Sequence, residues 1–370
     1  MKNKIKSAYQ FIIQTTNGMA YGLFATLIIG TIIGTIGSLF HYGEGNAFCD
    51  FIYGILGNGR DPGIALCLQY LTGAGIGIGI ALTLKFDPLK TIVMAAVGEI
   101  AAYLSLSTGF VTSHQILNGF KIGDPLTIYF VCIVTALLIK LVMRKKTPVD
   151  ILIVPLFGVL VGTISAMLIR YPTIYVTYGI QWLINCATSA QPFLMGIVIS
   201  VLMGMALTAP ISSAAMAAMI FTGCTPGSGL AIASGAAIIG CCTQMVGFAV
   251  QSRKDNSLGM VISIGIGTSM LQFKNILKKP VIWLPTIIAS AILGPIATCL
   301  VKVECYGSSA GMGTAGLVGQ IGTLESMGVG NWLTWFTIFG LQIVIPAILV
   351  FVIDLIFRKL HWIQDGDLKV

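Results

Sequence analysis

The stretch LAIASGAAIIGCCTQMVGFAV, residues 230–250, decides the fold class of this chain. It contains no charged residue, and it is followed by the basic turn Ser252-Arg-Lys-Asp. A transmembrane helix needs about 20 mostly apolar residues, and this run supplies them without interruption. Its interior carries the amide of Gln244, a polar group at a depth where lipid offers no hydrogen-bond partner. The sequence therefore predicts a membrane-spanning helix with a polar side chain inside it.

The rest of the chain has the same character. Of its 370 residues, 56% are hydrophobic and only 9% are charged, and the mean hydropathy is +0.93. Soluble domains carry about a quarter charged residues, so this chain cannot cover a water-facing surface. Its apolar runs are continuous rather than alternating, which excludes a β-barrel. We predict an all-α polytopic membrane protein with about ten transmembrane segments, some of them re-entrant, in a single membrane domain over residues 1–370.

The apolar runs give the expected spans, at residues 19–40, 64–84, 89–106, 126–143, 149–169, 192–207, 230–250, 281–301 and 332–357. Residues 171–187 carry Trp182 and several tyrosines, so we expect a separate amphipathic helix in the membrane interface. Residues 258–276 have basic residues at both ends and are expected to enter and leave on one side. An N-terminal helical part, 19–190, is thus followed by a C-terminal part with re-entrant segments, 191–358.

The net charge of +8 comes from short basic clusters between the apolar runs. These clusters are Lys2, Lys4 and Lys6; Arg144, Lys145 and Lys146; Arg253 and Lys254; Lys274, Lys278 and Lys279; Arg358 and Lys359. The pattern is that of the positive-inside rule. It predicts a multi-pass protein of the bacterial inner membrane with both termini cytoplasmic, in contact with lipid and not with nucleic acid. The first apolar stretch lacks a small-residue cleavage site, so we expect a retained helix rather than a signal peptide.

Several chemistries find no support in the sequence. The nine cysteines do not form a disulfide framework, although one external bridge between Cys49 and Cys305 remains an alternative. His41, His114 and His361 are scattered without metal-ligand spacing. No phosphate-binding loop or hydrolase motif is present. We therefore expect no catalytic residues, no metal and no cofactor.

Three interruptions of the apolar pattern lie in the second half, at residues 208–213, 265–272 and 308–323. Non-helical backbone at membrane depth is tolerated only where protein or a water-filled cavity satisfies its polar groups. Transporters use such broken helices to bind a solute near the membrane midplane. The alternative is that glycine, serine and alanine simply permit close helix packing. The coincidence of three interruptions favours a solute path.

Polar side chains in these segments and on the apolar helices are the candidate substrate-binding residues. They are Glu99, Thr208, Ser212, Ser213, Gln244, Thr268, Ser269, Gln272, Glu304, Thr314 and Gln320. A ring of neutral amides and hydroxyls suits a hydroxyl-rich or zwitterionic solute. Glu99 lies in an apolar run without a basic neighbour, and it could bind hydroxyls, carry a proton or cap another helix. Asp354 is expected to pair on a helix surface with Arg358, four residues later.

Four segments of the second half resemble a known family. They are Thr208-Ala-Pro-Ile-Ser-Ser-Ala-Ala, Gly240-Cys-Cys-Thr-Gln-Met-Val-Gly-Phe, Gly267-Thr-Ser-Met-Leu-Gln and Ala310-Gly-Met-Gly-Thr-Ala-Gly-Leu-Val-Gly-Gln. The family comprises stand-alone membrane proteins related to the IIC subunit of the bacterial sugar phosphotransferase system, and it includes the perfringolysin regulator-like proteins. The resemblance implies a homodimer of polytopic protomers with re-entrant hairpins and a sugar-type site in the second half.

One position departs from the family pattern. Glucose-type IIC subunits carry a Gly-Ile-Thr-Glu-Pro motif whose glutamate holds the sugar, whereas the nearest segment here reads Ala206-Leu-Thr-Ala-Pro-Ile. Ala209 then stands where the glutamate would be. No IIA or IIB domain is recognised, so phosphotransfer would require separate IIA and IIB proteins, and the chain itself is not expected to be an enzyme. We predict a transporter of a small polar solute, a sugar or related compound. The alternatives are a membrane-embedded sensor that controls gene expression and a phosphotransferase permease with separate IIA and IIB chains.

Overall fold

The structure is a computed structural model. It describes residues 2–41, 46–57, 63–105, 124–143, 148–188, 191–209, 211, 213–221 and 226–370. Within these ranges the regular structure is helical, with no strand. The chain divides into two compact units, Met1–Val176 and Thr177–Val370. The single membrane domain and its division at residue 190 stay predictions.

The first unit is built from helices. Their bounds are α1 Lys2–Leu23, α2 Ile29–His41, α3 Ala47–Leu56, α4 Ile64–Tyr70, α5 Thr72–Thr83, α6 Pro88–Ser105 and α7 Pro125–Val142, with a π-helical turn at Phe24–Ile28. Helix α8, Asp150–Thr188, begins in this unit and continues past its last residue, Val176. Helix α5 packs against α1 on one side and α6 on the other. Glycine permits the second contact, because a Cβ atom on Gly73 would lie 2.4 Å from the carbonyl oxygen of Gly98.

The second unit contains the remaining helices and most of the irregular turns. Its α-helices are α9 Pro192–Thr208, α10 Ser213–Phe221, α11 Gly229–Gln251, α12 Leu258–Ile262, α13 Phe273–Lys278, α14 Leu284–Pro295, α15 Val318–Met327, α16 Trp332–Trp335 and α17 Ile345–Lys359. Its 3₁₀ turns are Ser252–Lys254, Ser269–Gln272, Pro280–Trp283, Gly307–Gly311 and Ala315–Leu317. Its π-helical turns are Ser263–Gly267, Ile296–Val301 and Phe336–Val344.

Helix α11 lies at the centre of the second unit, where α9, α14 and α17 pack around it. A Cβ atom on Gly240 would lie only 1.9 Å from the carbonyl oxygen of Ser200, so α9 and α11 approach backbone to backbone. Such close approach is typical of helix pairs in membranes. Van der Waals packing drives their association there, and small residues let the two backbones come close. Residues 230–250, which form most of α11, are thus at the core of this unit.

The described residues contain seven helices that are long and apolar enough to cross a membrane, or up to nine if each of two bent pairs is one span. This confirms an all-helical, multi-pass membrane protein, although the count of about ten is not confirmed. One bent pair, Leu258–Gly267 with Ser269–Lys278, turns by 120°. It lies where the re-entrant segment was predicted.

Helix α8 corrects one sequence prediction. The separate interfacial helix expected at 171–187 does not exist, because α8 continues from Asp150 to Thr188 with Pro172 inside it. Proline removes one backbone donor, but it does not end the helix here. The hydroxyl of Thr173 lies 3.0 Å from the carbonyl oxygens of Ile169 and Arg170, one turn earlier in the same continuous helix.

A fourth interruption lies in the first unit, so the prediction that all of them fall in the second half was wrong. The run at 64–84 was expected to be one span, but α4 and α5 meet at Leu71 with a bend of 52°. The backbone N–H of Ala74, in the first turn of α5, donates to the Glu99 carboxylate at 3.1 Å. Because the two residues lie 25 positions apart, local sequence gives no sign of this contact.

The structure corrects two further expectations about side-chain pairs. Asp354 pairs with Arg358 as predicted, but it is fully buried and also contacts Arg253, so the pair does not lie on the helix surface. Cys49 and Cys305 are both free thiols, and Cys305 is buried. The external disulfide is therefore absent from the structure.

Candidate functional site

The first two broken segments of the second unit meet through their side chains. Helix α9 ends at Thr208, and its hydroxyl oxygen lies 2.9 Å from that of Ser269. Ser269 opens the 3₁₀ turn directly after the 120° bend, where Thr268 adopts an extended backbone conformation. Thr208, Thr268 and Ser269 are all buried. Two residues that are 61 positions apart in the chain thus share one hydrogen bond.

The third broken segment joins the same region. The hydroxyl of Ser213, at the start of α10, donates to the carbonyl oxygen of Gly311 at 2.7 Å. The hydroxyl of Thr314 donates to the carbonyl oxygen of Gly265, just before the bend. All three interruptions that the sequence singled out therefore contact one another, and their side chains satisfy carbonyls that lack helical partners.

Gln244 on α11 lies beside this meeting point. Its side-chain oxygen accepts hydrogen bonds from the Trp283 indole at 3.0 Å, the Thr286 hydroxyl at 3.0 Å and the Thr208 hydroxyl at 3.3 Å. An indole N–H can only donate, so the atom facing Trp283 must be the amide oxygen. The orientation of the Gln244 amide is thereby fixed. We call Thr208, Gln244, Ser269, Trp283 and Thr286 the Gln244 cluster.

The other end of the same amide has no partner. The Nε2 group of Gln244 is buried and makes no hydrogen bond within the described part of the chain. A buried donor left unpaired costs about 1–3 kcal/mol. The Trp283 indole, which can only donate, fixes the position of the oxygen, so the amide cannot turn to relieve this cost. A fixed, unpaired donor is what an acceptor on a bound molecule would satisfy.

A pair of amide side chains, Gln320 and Gln342, lies elsewhere in the same unit. The Thr323 hydroxyl donates to Gly319, accepts from the Gln342 amide at 2.8 Å, and so fixes the Gln342 oxygen toward Gln320. Gln320 donates to that oxygen at 3.0 Å and toward the sulfur of Cys242 at 3.6 Å. The oxygen of Gln320 is buried without a partner among the described residues. This pair supplies a second unpaired group, in this case an acceptor.

Other predicted site residues have different surroundings. The Gln272 amide donates to the carbonyl oxygen of Leu368, near the end of the sequence. Glu304 accepts from the backbone N–H of Gly227 at 2.8 Å and from the Tyr306 hydroxyl. Neither contacts the Gln244 cluster through a hydrogen bond. Ser212 lies outside the described residues.

Glu99 is a helix cap in the first unit. Its carboxylate accepts the Ala74 N–H at 3.1 Å, which belongs to the first turn of α5 and lacks an intrahelical partner. A negative charge at this end also complements the helix dipole. Among the three roles that the sequence left open for this residue, a contact supports capping.

Replacing Glu99 with alanine should lower the free energy of unfolding by about 1 kcal/mol, because one helix-capping acceptor is lost. Glu99→Gln is the matched control, since its amide oxygen can still accept the Ala74 N–H. Thermal unfolding of the purified protein in detergent measures both variants. An alanine variant as stable as the wild type would show that the cap contributes nothing.

A cleft of about 630 Å³ also lies in the first unit, between the α5–α6 turn and the end of α7. Its polar groups are three lysines and Asp87, and the carboxylate of Asp87 pairs with Lys90 at 3.0 Å. It is open to solvent and contributes no amide or hydroxyl side chain. No hydrogen bond among the described residues connects this cleft to the Gln244 cluster, which belongs to the second unit.

With this geometry in place, comparison with known families gives one match. Residues 13–370 match the family described as "Phosphotransferase system, EIIC". The chain belongs to this family. Together with its apolar helices, this makes it a multi-pass, permease-like membrane protein. No curated protein and no solved structure matches the chain.

Within this EIIC-family chain, the departure noted above falls beside the cluster. Ala209, which the resemblance is expected to place at the position of the motif glutamate, directly follows Thr208, and its N–H donates to the carbonyl oxygen of Met205 at the end of α9. Its side chain is a methyl group, so the cluster receives no carboxylate from this position. The side chains that form the hydrogen bonds of the cluster are neutral.

Sequence reasoning missed two members of the cluster. Trp283 and Thr286 fall at the start of a predicted span, where tryptophan is expected as an interfacial anchor. Their role follows from the 3₁₀ turn Pro280–Trp283, which turns the indole toward Gln244. A tryptophan and a threonine three residues apart at the start of an apolar run were the available signal.

Proposed function

We propose that this EIIC-family protein is a permease that binds a neutral, hydroxyl-rich solute, a sugar or sugar-related compound, at the Gln244 cluster. The buried, unpaired Nε2 group of Gln244 carries the proposal. A sugar hydroxyl or ring oxygen would accept from it without disturbing the three bonds to the amide oxygen. This hydrogen bond would remove the free-energy cost of the unpaired Nε2 group in the solute-free protein.

The chemistry of the cluster favours a neutral solute. In the described part of the chain, the hydrogen bonds of Thr208, Gln244 and Ser269 involve hydroxyl, indole and amide groups and the carbonyl oxygen of Gly204. No charged side chain takes part in them. Burying an ionised carboxylate or phosphate without a paired charge is costly. We therefore expect sugars and polyols to bind more tightly than sugar acids or sugar phosphates.

The re-entrant hairpin, residues 258–278, is the element whose movement we propose opens the site. It contributes Ser269 to the cluster, and its bend needs only a few backbone changes to shift. Transporters of this kind gate access by moving one part against a fixed part around a central site. An elevator-type or rocking motion would expose the cluster to each side of the membrane in turn.

Two alternatives remain as proposals. A phosphotransferase permease with separate IIA and IIB proteins would phosphorylate its sugar during transport, and Ala209 argues against this because the motif carboxylate is missing. A membrane-embedded solute sensor would bind without flux. Solute uptake into vesicles, followed by analysis of whether the product is phosphorylated, separates the three.

The resemblance also supports three proposals about the setting of the protein. We propose a homodimer, a location in the bacterial inner membrane, and cytoplasmic termini. The basic clusters that flank the spans support the orientation. Cross-linking in the membrane and labelling of single engineered cysteines from each side measure these properties directly.

The experiment that tests the binding proposal is a thermal-shift screen of the protein in detergent. The panel contains sugars, polyols, sugar acids, sugar phosphates, small carboxylates and nucleosides. A ligand present at a hundred times its dissociation constant should stabilise the fold by about 2.7 kcal/mol. Stabilisation by a neutral sugar or polyol is expected. Stabilisation by sugar phosphates alone, or by no compound, would count against the proposal.

A further inference from the structure

The last residues of the sequence are hydrogen-bonded through their backbone groups to the turn that follows α11. The Asp255 carboxylate accepts the N–H groups of Gly366 at 2.9 Å and Leu368 at 3.1 Å. Asn256 donates to the carbonyl oxygen of Leu368 at 2.7 Å and accepts from the N–H of Val370 at 2.9 Å. We call residues 363–370 the docked segment.

The same segment contacts the re-entrant hairpin. The Gln272 amide donates to the Leu368 carbonyl oxygen at 2.9 Å, while its own oxygen accepts from Asn275 at 2.8 Å. Asn275 also donates to the carbonyl oxygen of Lys369 at 3.1 Å. Gln272 and Asn275 are buried, and Leu368 is fully buried. The segment therefore occupies a fitted position and is not merely lying on the surface.

Ion pairs hold the segment at both sides. Lys279, just after the hairpin, pairs with Asp367 at 2.6 Å. Arg358, on α17, pairs with Asp365 at 2.7 Å and donates to the carbonyl oxygen of Gln251 at 3.0 Å. The docked segment is thereby connected to the hairpin, to α17 and, through Arg358, to the end of α11.

One 3₁₀ turn links these contacts to the Gln244 cluster. The turn runs from Ser269 to Gln272, so its first residue bonds Thr208 and its last residue bonds Leu368. This turn is only four residues long, so the Thr208 and Leu368 contacts lie three residues apart on one element. Displacement of Leu368 should therefore change the position of Ser269.

We propose that the docked segment positions the re-entrant bend, and with it Ser269, so that segment docking and solute binding are energetically coupled. The solute part of this proposal rests on the proposed function, whereas the coupling between segment and bend does not. Gln272 is the positioning residue, since it is the hairpin side chain that bonds Leu368 from the same turn as Ser269. Coupling must be reciprocal: whatever docking contributes to solute affinity, solute contributes equally to docking.

Hydrogen exchange of the full-length protein in detergent tests the first part without any solute. The double variant D255A/N256A removes the partners of the Gly366, Leu368 and Val370 amides. We expect at least tenfold faster exchange in peptides covering residues 364–370 and in those covering 268–276. D365N is the control, because it removes an ion pair whose acidic side chain is exposed and leaves the Asp255 and Asn256 contacts in place; exposed ion pairs contribute little, so it should change exchange less than twofold. Release of 364–370 without any change in 268–276, or no release at all, would overturn the coupling.

The second part uses the neutral sugar or polyol that stabilises the wild type most in the screen. Saturating solute should slow exchange of residues 364–370 in the wild type, and Q272L should weaken solute binding by at least fivefold. A purely structural anchor would not respond to solute, so unchanged exchange in 364–370 would overturn the link to the site. If no solute binds the wild type, the proposed function fails while the exchange coupling between segment and bend is still decided by the first experiment.

Discussion

Replacement of Gln244 by methionine should weaken binding of the stabilising sugar or polyol by about 5- to 150-fold, which corresponds to 1–3 kcal/mol. Methionine has a similar length and apolar volume, but it offers no donor to the solute. It also leaves the Trp283 indole and the Thr286 hydroxyl without their shared acceptor. Both effects act on the same cluster, so we expect this to be the largest loss of affinity from a single substitution in the second unit.

Gln251 provides a matched control on the same helix. It is also a fully buried glutamine, seven residues after Gln244 and therefore on the same face of α11. Its amide donates to the carbonyl oxygen of Ile282 at 3.3 Å and takes no part in the Gln244 cluster. We expect Gln251→Met to bind the solute within about twofold of the wild type, because substitutions at independent sites have little effect on one another.

The pair of variants separates a binding role from a structural one. Dissociation constants come from titration of each variant, with thermal unfolding measured on the same samples. If Gln251→Met loses affinity as severely as Gln244→Met, the effect is a general consequence of losing a buried amide. If Gln244→Met binds as tightly as the wild type, the solute does not use the cluster and the proposed site is wrong.

The helices and the three broken segments of the second half could be predicted because they depend on local composition. Long uncharged runs require spanning helices, and the combination of glycine, proline and hydroxyl residues near Thr208 interrupts them. Basic residues at both ends of 258–276 indicated the bend that the structure shows near Thr268. In each case the cause lies within about 20 residues of its effect.

Features that depend on tertiary contacts could not be predicted in the same way. The bend at Leu71 is accompanied by a cap from Glu99, which belongs to the next helix. Gln272 resembles a site residue by composition, yet its partner Leu368 lies 96 positions away. Equally, nothing local shows that Trp283 would fix the amide of Gln244. A polar side chain on an apolar helix indicates that it has a hydrogen-bond partner, but only the fold determines which residue that partner is.

Asp354 shows the same limit and leads to the largest expected effect on stability. Spacing predicted a pair with Arg358, which is present with the carboxylate 3.0 Å from the guanidinium Nε. Spacing could not show that Asp354 is completely buried, or that Arg253 from the turn after α11 contacts it at 3.0 Å. One carboxylate thus pairs with two arginines at the point where α11 and α17 end.

Asp354→Ala should lower the free energy of unfolding by about 3 kcal/mol, because removing one partner of a buried ion pair leaves an uncompensated charge. Arg358 keeps Asp365 at 2.7 Å and Asp255 at 3.8 Å, so the loss should fall at the lower end of the usual range for such pairs. Asp354→Asn keeps the shape and one acceptor oxygen, and it should recover part of this loss. Thermal or denaturant unfolding of the purified protein measures all three proteins.

Asp367→Ala is the control that makes the prediction specific to burial. Asp367 also pairs with a cation, Lys279 at 2.6 Å, but both side chains are partly exposed. Asp367 also accepts the N–H of Gln364 at 2.8 Å. Ion pairs at the surface contribute about 0–1 kcal/mol, so this variant should lose much less stability than Asp354→Ala. Equal losses in Asp354→Ala and Asp367→Ala would mean that burial does not strengthen the arginine network. A large loss confined to Asp354 would show that the ends of α11 and α17 are held together by this one carboxylate, whichever solute the protein binds.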